Sequence, residues 1–567
     1  MTNDNRNFIT FAVLAALILF GWPLIANRLF PPANPPVTKI EGGKTKVVPN
    51  TTAPSPTTPA KTRDLKAILG ESAGQRIAID TPTLKGSINL KGAQIDDLVL
   101  TQYKDTIAKD SPPIRLLSPA GAADAYFAQF GWQETGLKSP DSDTLWKANG
   151  NLLAPGKPVT LTTANGQGQV FAIELTVDDQ YMFTIRQTVA NRSGAPVDVA
   201  PAAMVGRATP SKDVDSWTIQ IGPMSVYQGI AHYDLNYDKV AASQPFKTTG
   251  GWLGFTDKYW LTALVPDQSS SVTGQFSAPA GNGYVAGYAR DRTSLAPGKA
   301  LTQTSRFFAG SKEVRVLDGY QDKQGVMLFG KALDWGWFEV IEKPIFYYLD
   351  WLFRMVGNFG VAIMLLTVTI RGLIFPIAQR QFASMASMRA IQPKMKALQE
   401  RHKDDKQRQQ QEVMKLYKEE KVNPLAGCLP TLIQIPIMYS LYKVLMLTIE
   451  MRHQPFVAWI KDLSAPDPLT PINLFGLLDF APPHFIAIGV VPILLGISMW
   501  LQFRMNPAPM DEAQKQVFAL MPWVLMFVMA PFAVGLQVYW ITSNLLTVLQ
   551  QKVLYARHPA LKEAVVK

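Results

Sequence analysis

A single arginine interrupts one of the most apolar stretches of this 567-residue chain. The stretch LLTVTIRGLIFPIAQRQ begins at Leu365, and Arg371 stands inside it. A guanidinium keeps its charge at physiological pH, and at the centre of a membrane-spanning helix it costs about 2.5–3.5 kcal/mol on insertion scales. An intramembrane charge is therefore the first functional-site hypothesis in this chain. Its chemistry would be electrostatic, namely the attraction of an acidic or polar guest.

Other kinds of site chemistry find little support in the composition. The chain has one cysteine, Cys428, and five scattered histidines, without a His-x-x-x-His or Cys-x-x-Cys pair. These spacings indicate against a zinc site, and a single cysteine excludes an intrachain disulfide. We therefore expect no metal, no cofactor and no catalytic residue.

The depth of Arg371 decides between three explanations of its charge. It lies eight residues before Gln379, so roughly 12 Å below the cytoplasmic edge of its helix, and snorkelling relieves only part of the cost. An ion pair would need a carboxylate, but Glu450 is the only nearby one and sits at the outer end of its helix. The third explanation is a polar groove that is open to the cytoplasm and reaches part-way into the bilayer. The residues predicted to line it are Arg371, Thr431, Gln434, Thr542, Ser543 and Asn544, with Met438, Tyr539 and Trp540 as contacts for a guest. Lys443, the other intramembrane charge, is expected to snorkel to the outer interface.

The N-terminal part of the chain, residues 1–334, begins with an apolar run and then changes in composition and sequence pattern. Residues 1–30 predict an uncleaved transmembrane anchor; a cleaved signal peptide is the alternative, but the run is long and no A-x-A site follows. Residues 31–63 are rich in Pro and Thr and predict an extended linker. Residues 64–334 alternate apolar and polar positions between Gly, Asn and Asp turns, which predicts an all-β sandwich. Its one histidine, His232, cannot build the two-histidine site of a sugar epimerase, so we expect it to be structural.

The C-terminal half predicts a helical membrane domain. Residues 335–355 crowd Trp, Tyr and Phe, with Trp337, Val340, Ile341 and Ile345 on one face, which indicates an interfacial amphipathic helix. No charge occurs between Lys515 and Lys552, a length of roughly 50 Å as one helix, so Pro531 and Gly535 are expected to break it. The predicted spans are residues 356–378, 425–449, 485–503, 517–530 and 532–551. The predicted connections are a helical hairpin at 379–424, loops at 450–484 and 504–516, and a basic tail at 552–567.

Charge asymmetry gives these spans a direction. Residues 376–422 carry eleven Lys and Arg against six Asp and Glu, residues 450–485 carry two against four, and residues 552–567 carry four against one. Because cytoplasmic loops are enriched in Lys and Arg, the hairpin and both termini are predicted to be cytoplasmic. Residues 31–355, which include the β domain, are then external, and the chain has six spans.

These motifs together resemble the YidC/Oxa/Alb family of membrane protein insertases. The resemblance rests on TIRGLIFPI, the hairpin, and KVNPLAGCLPTLIQIPIMYSLY from Lys421 to Tyr442. It implies a five-helix insertase core, a periplasmic β-supersandwich of the Gram-negative form, and an inner-membrane location. It also implies that Arg371 is the groove arginine, and that the partners are nascent membrane proteins, the Sec translocon, ribosomes and targeting machinery. The loop at 450–485 departs from the family pattern by its length, with PLTPINLFGLLDFAPPHF before the fourth span.

Two other classes of protein fit the sequence less well. A secondary transporter needs a midplane ion site and usually inverted repeats, which we do not find in the sequence. A membrane-tethered sugar enzyme needs acid–base residues that the β domain lacks.

Overall fold

The structure is a computed structural model, and it describes residues 37–41, 44–48, 62–133, 137–213, 219–279, 283–402, 405–420, 429–478, 487–505 and 512–557. The chain divides into two compact units. The β unit comprises Asn50–Asp334 and Leu447–Glu450, and the helical unit comprises Trp335–Met446 and Met451–Lys567 with Met1–Pro49. The predicted anchor, the predicted linker apart from residues 37–41, 44–48 and 62–63, and the last ten residues lie outside the described residues.

Twenty-three short strands occur in the described residues. They are β1 (Val37–Glu41), β2 (Lys44–Val48), β3 (Arg76–Asp80), β4 (Leu84–Asn89), β5 (Gln94–Lys104), β6 (Pro113–Leu117), β7 (Tyr126–Trp132), β8 (Lys147–Ala148), β9 (Leu152–Leu153), β10 (Val159–Ala164), β11 (Gln169–Val177), β12 (Met182–Asn191), β13 (Val197–Val199), β14 (Pro201–Arg207), β15 (Gly222–Tyr227), β16 (Ile230–His232), β17 (Phe246–Thr249), β18 (Trp252–Thr256), β19 (Trp260–Val265), β20 (Ser271–Ser277), β21 (Tyr284–Arg290), β22 (Thr293–Leu295) and β23 (Ala300–Ser311).

Two large sheets form the β unit. One has nine strands in the order β16-β15-β18-β19-β23-β12-β11-β10-β8, and the other has ten in the order β17-β20-β21-β14-β7-β5-β4-β3-β9, with β6 beside β5. All neighbours are antiparallel except β3 and β9. Strands β13 and β22 form a separate pair, and β1 with β2 forms a hairpin in the helical unit. This architecture is the β-sandwich that the alternating sequence pattern predicts.

The alternation of apolar residues explains how these sheets build a core. Along β11 every second residue is buried, from Gln169 to Val177, which places one face of the strand in the interior. Trp252 and Phe255 are fully buried, as expected for the aromatic stretch GGWLGFTDKYW. His232 stacks on the ring of Tyr227 at a centroid distance of 3.8 Å, so its contact is a packing contact.

Ten α-helices complete the described chain. They are α1 (Leu65–Glu71), α2 (Val314–Gln324), α3 (Glu339–Val356), α4 (Phe359–Ala390), α5 (Gln392–Arg401), α6 (Lys406–Glu419), α7 (Leu429–Leu447), α8 (Val490–Met505), α9 (Glu512–Met529) and α10 (Val534–Arg557). The first two belong to the β unit and the others to the helical unit.

Several helix boundaries differ from the predicted spans. Helix α3 ends at Gly357, whose positive φ of 68° and bond from its N–H to the Phe353 carbonyl (2.7 Å) form a left-handed cap. Helix α4 does not stop at residue 378 but continues to Ala390, so the first residues of the predicted hairpin are a continuation of this helix. Helix α8 begins at Val490 rather than at 485, because its first N–H groups are bonded by the preceding loop. Helix α9 ends at Met529 and helix α10 begins at Val534, so the break between them contains Pro531.

The predicted hairpin stretch contains α5 and α6 joined by a short turn. Lys394 pairs with Glu420 at 2.6 Å, and the Tyr417 hydroxyl donates to the Met395 sulfur at 3.2 Å. These pairs join the start of one helix to the end of the other, so the helices run antiparallel. Met395 is therefore part of a seam between helices, while the side chains of residues 380–390 lie outside the described part.

The helical unit shows the burial pattern of a membrane protein. Large apolar side chains of α3, α4, α8, α9 and α10 are exposed, and Trp337 just before α3 is 99% exposed. Polar residues are buried instead, among them Glu342, Asp350, Gln537 and Asn544. Soluble proteins select the reverse arrangement, so this surface fits lipid. Of the described helices, one segment, Phe359–Gln379, is long and apolar enough to cross a bilayer by itself; Val490–Met505 and Ala519–Met529 are apolar but shorter.

One loop, residues 451–470, joins the N-terminal ends of three helices. Asn358, just before α4, donates to the Phe456 carbonyl at 2.9 Å. The Val534 N–H at the start of α10 donates to Ala465 at 2.8 Å, and the Val490 N–H at the start of α8 donates to Leu469 at 3.0 Å. Helices α4, α8 and α10 therefore start on the same side of the helical unit. We call residues 451–470 the outer loop.

Candidate functional site

Arg371 lies in the middle of α4 and reaches across to α10. Its Nε donates to the Ser543 Oγ at 3.0 Å, and its Nη2 donates to the same oxygen. Arg371 is twelve residues from Phe359, so roughly 18 Å from the N-terminal end of α4, and Ser543 lies at a similar distance, roughly 14 Å, from the N-terminal end of α10. The two residues were predicted to share a groove, and the structure brings them together.

The charge of Arg371 has no acidic partner in the part of the chain that the structure describes. A guanidinium carries five N–H donors, and one hydroxyl oxygen accepts only two of them here. Its side chain is half-buried. The remaining donors therefore need an acceptor other than the described side chains, such as water or a polar guest.

A second polar contact, one helical turn from Ser543 along α10, joins α7 to α10. The Gln434 Nε2 donates to the Tyr539 hydroxyl at 2.8 Å. Tyr539 precedes Ser543 by four residues, so both face the same side of α10. Tyr539 is only 1% exposed, which makes it part of the framework between the helices instead of a surface for a guest. Arg371, Gln434, Tyr539 and Ser543 thus form one polar layer across three helices.

Asn544 is buried on a different face and does not line this layer. Its Nδ2 donates to the Ser498 Oγ on α8 at 2.9 Å, and Ser498 donates in turn to the Leu495 carbonyl. Each residue of a helix is rotated by about 100° from the one before it, so Ser543 points to α4 while Asn544 points to α8. Asn544 therefore joins α10 to α8 and is corrected from a groove residue to a packing residue.

Among the remaining predicted residues, those whose side chains the structure describes are half-buried or buried. Thr542 is half-buried, and its hydroxyl donates to the Val538 carbonyl of its own helix at 2.7 Å. Met438 and Trp540 are half-buried. Thr431 lies in the first turn of α7, but its side chain is outside the described part. Lys443 is 3% exposed, so it does not snorkel: it is buried within the protein.

The outer loop closes the end of the helical unit that lies opposite the predicted cytoplasmic opening. The Phe456 ring packs directly on Gly360, where a Cβ atom would lie 2.0 Å from the ring carbon Cδ2. The Gly535 N–H donates to the Leu463 carbonyl at 2.9 Å. Asp467 accepts from the Trp459 indole at 3.0 Å and from the Val491 N–H at 2.7 Å. The loop is therefore fastened to α4, α8 and α10 by both packing and hydrogen bonds.

The sequence reasoning missed three residues that hold this site together. The Ser498 hydroxyl accepts a hydrogen bond from Asn544, and the Asp467 carboxylate accepts one from the Val491 N–H at the start of α8. Gln537 donates to the carbonyls of Met529 and Phe532 at 2.9 Å across the break between α9 and α10. Ser498 and Gln537 are polar residues in apolar stretches, which is the signal that could have identified them, whereas Asp467 lies in a loop with other polar residues. Ser498, eight residues into α8, lies at about the depth of Ser543, whereas Gln537 lies only three residues into α10.

The arrangement offers binding and not covalent chemistry. In the described ranges no three His, Cys, Asp or Glu side chains are grouped so that they could hold a metal ion. The polar layer has a cation, an amide and two hydroxyls, which can attract, hydrate and hydrogen-bond a polar segment.

Comparison with known proteins gives consistent matches over the whole chain. A family described as "60Kd inner membrane protein" matches residues 351–561, and a family described as "YidC periplasmic domain" matches residues 76–348. The membrane protein insertase YidC of Zymomonas mobilis is 47% identical over 99% of this chain and 97% of its own length. That of Methylorubrum extorquens is 42% identical over 98% and 96%, and that of Rhizobium etli is 43% identical over 98% and 96%. A solved structure titled as an active YidC insertase with its first transmembrane domain resolved matches 84% of this chain and 92% of its own, at 17% identity and a TM-score of 0.36.

Proposed function

The chain belongs to the YidC family of membrane protein insertases, which are inner-membrane proteins and not enzymes, and from this premise we propose how it handles a client. Hydrophobic segments of nascent membrane proteins enter a hydrophilic groove from the cytoplasm, bind next to Arg371, and leave sideways into the bilayer. The observation that carries this proposal is the Arg371 guanidinium, which is half-buried and bonded to Ser543, without a paired carboxylate among the described residues.

The groove lowers the cost of moving a polar segment into the membrane. A peptide group without a hydrogen-bond partner costs several kcal/mol in hydrocarbon. The N–H donors of Arg371 that have no partner among the described side chains can offer such partners part-way across the bilayer. Because a charge acts more strongly in a medium of low dielectric constant, the same guanidinium attracts acidic tail residues of a client.

The neighbouring surface supports a sideways exit. Leu373, two residues after Arg371, is 76% exposed, and Ile435, next to Gln434, is also exposed. An apolar client segment can therefore pack on lipid-facing side chains while its polar flank stays at the polar layer. The outer loop closes the far end, which favours release into lipid over passage through a pore.

Partners and orientation complete the proposal. We propose that the β unit is periplasmic, that both termini and the α5–α6 hairpin are cytoplasmic, and that the chain has six spans. The hairpin and the basic tail at 552–567 would then meet the ribosome and the targeting machinery, and the Sec translocon would cooperate on larger clients. The support is the Lys and Arg excess of these segments and the common starting side of α4, α8 and α10.

Crosslinking of a stalled nascent chain tests the groove. A photoreactive amino acid is placed at Gln434, Met438 or Thr542, and as a matched control at Leu494 or Ile497, which are exposed apolar positions of α8. We expect strong crosslinks to the client at the first three positions and weak ones at the controls. Equal crosslinking at both sets would show that the client meets the lipid-facing surface without entering the groove.

A further inference from the structure

A short apolar segment, Pro471–Leu478, follows the outer loop and has no role in the groove. It belongs to the long connection that departs from the family pattern, and no charged residue occurs between Pro468 and Leu478. Five of its large side chains are exposed, by 41% to 80%. They are Ile472, Leu474, Phe475, Leu477 and Leu478.

The backbone of this segment is held in a fixed turn. The Phe475 N–H donates to the Thr470 carbonyl and the Leu478 N–H to the Asn473 carbonyl, both at 3.0 Å. Leu474 and Phe475 have φ angles of 50° and 60°, a left-handed conformation that side chains of this size rarely adopt. Asn473 and Thr470, the polar residues of the turn, are buried. The turn thus hides its polar groups and presents its apolar ones, the reverse of what water would favour.

The position of Pro471–Leu478 along the axis of α8 is set by its attachment to the start of that helix. The Leu469 carbonyl accepts from the Val490 N–H at 3.0 Å, so the segment starts level with the first residue of that helix. Leu494, the first strongly exposed apolar residue of α8, is only four residues further on, roughly 6 Å deeper. The exposed surface of the segment therefore begins at the level where the lipid-facing surface of α8 begins.

We propose that Pro471–Leu478 inserts its exposed side chains into the outer leaflet of the bilayer next to α8. Lipid is the occupant that the surface fits, because Asn473, its one polar side chain, is buried, whereas protein interfaces normally carry a polar rim. Through the backbone bonds at Thr470 and Leu469, this insertion holds the outer loop at the membrane surface. The proposal rests on membrane location and not on the groove.

Fluorescence quenching in vesicles tests this insertion. Cys428, the only cysteine, is replaced by serine, and Leu477→Cys is labelled with an environment-sensitive fluorophore in full-length protein, reconstituted at less than one copy per vesicle. Ile497→Cys is the deep control, and Lys85→Cys, whose lysine side chain is 66% exposed in the β unit, is the aqueous control. Nitroxide-labelled lipids and aqueous iodide are the quenchers.

We expect the Leu477 probe to be quenched several-fold more by shallow nitroxides than by deep ones, with the reverse order for Ile497 and no lipid quenching for Lys85. Strong iodide quenching at Leu477 without lipid quenching would place the segment in water and overturn the proposal. Protection from both quenchers would show that protein covers it, which also overturns the proposal. The same label at Leu474 repeats the test if the Leu477 variant does not fold. Since depth is measured without a client, the result is independent of the groove.

Discussion

Replacement of Gly360 by alanine tests how the outer loop is fastened to the helical unit. Gly360 is the second residue of α4, and a Cβ atom there would lie 2.0 Å from the Phe456 ring. Ordinary van der Waals contact begins near 3.4 Å, so the ring must move by more than 1 Å. The backbone of Phe456 cannot follow easily, because its carbonyl accepts from Asn358 and its N–H donates to the Ile460 carbonyl.

The magnitude follows from the cost of overpacking a filled contact, about 1–3 kcal/mol. Phe456→Ala alone should also destabilise, because it removes part of a packed ring. In the double variant the new methyl group occupies space that the ring has left. The two penalties should therefore not add, and the coupling free energy should be about 1–3 kcal/mol in the favourable direction.

Unfolding of the four proteins in detergent, titrated with a denaturing detergent, measures these free energies. Gly372→Ala is the matched control, since it lies on the same helix and has no heavy atom within 4 Å of the added Cβ. It should be neutral or stabilising by up to about 1 kcal/mol. Penalties of Gly360→Ala and Phe456→Ala that add within about 0.5 kcal/mol would refute the contact.

Three further predictions concern other parts of the chain. Burial raises the pKa of Asp96 to about 6. The protonated Asp96 carboxyl should therefore contribute at most about 3 kcal/mol to the free energy of unfolding, fully below pH 4 and progressively less as the pH rises through 6. Urea titrations across this pH range should show the loss in the parent protein and no such loss in Asp96→Asn. Asn544→Leu should cost about 0.6–1.7 kcal/mol through its bond to Ser498 while leaving client insertion unchanged, and a cycle with Ser498→Ala should show that the two residues are coupled. Replacement of residues 383–418 by a short linker should lower insertion while a protease-resistant membrane core remains; loss of that core would show that the hairpin supports the fold.

The sequence predicted the elements of this protein better than their contacts. Apolar length and the break at Pro531 are local properties, so the helices of the C-terminal half lie near their expected places. The depth of Arg371 and Ser543 along their helices could also be predicted from the sequence, by counting residues from the helix ends. The position of a residue along a helix does not say in which direction its side chain points, however. Neighbouring Ser543 and Asn544 were therefore both predicted to line the groove, although they contact different helices.

The outer loop shows why the remaining contacts could not be predicted. Its bonds to α8 and α10 use backbone carbonyls of Leu463, Ala465 and Leu469, and every residue type has a backbone carbonyl. His453 and Ala458 take positive φ angles without being glycine, so no local turn signal marks the path. Lys443 was likewise placed from its depth alone, and its burial depends on neighbours distant in sequence.

We propose that the Arg371 charge attracts acidic client segments, and insertion assays with matched client tails test this attraction most directly. Clients with acidic, neutral or lysine-bearing tails are compared in the parent protein and in Arg371→Lys, Arg371→Ala and Arg371→Glu. The lysine variant should retain most activity because an ammonium preserves the field, although it loses the forked contact with Ser543. The alanine variant should impair acidic tails more than neutral ones. The glutamate variant should be worst for acidic tails and should partly recover the lysine-bearing client. Equal activity of the lysine and glutamate variants for every client would contradict the account, since it would mean that the groove needs a charge of either sign only to hold water.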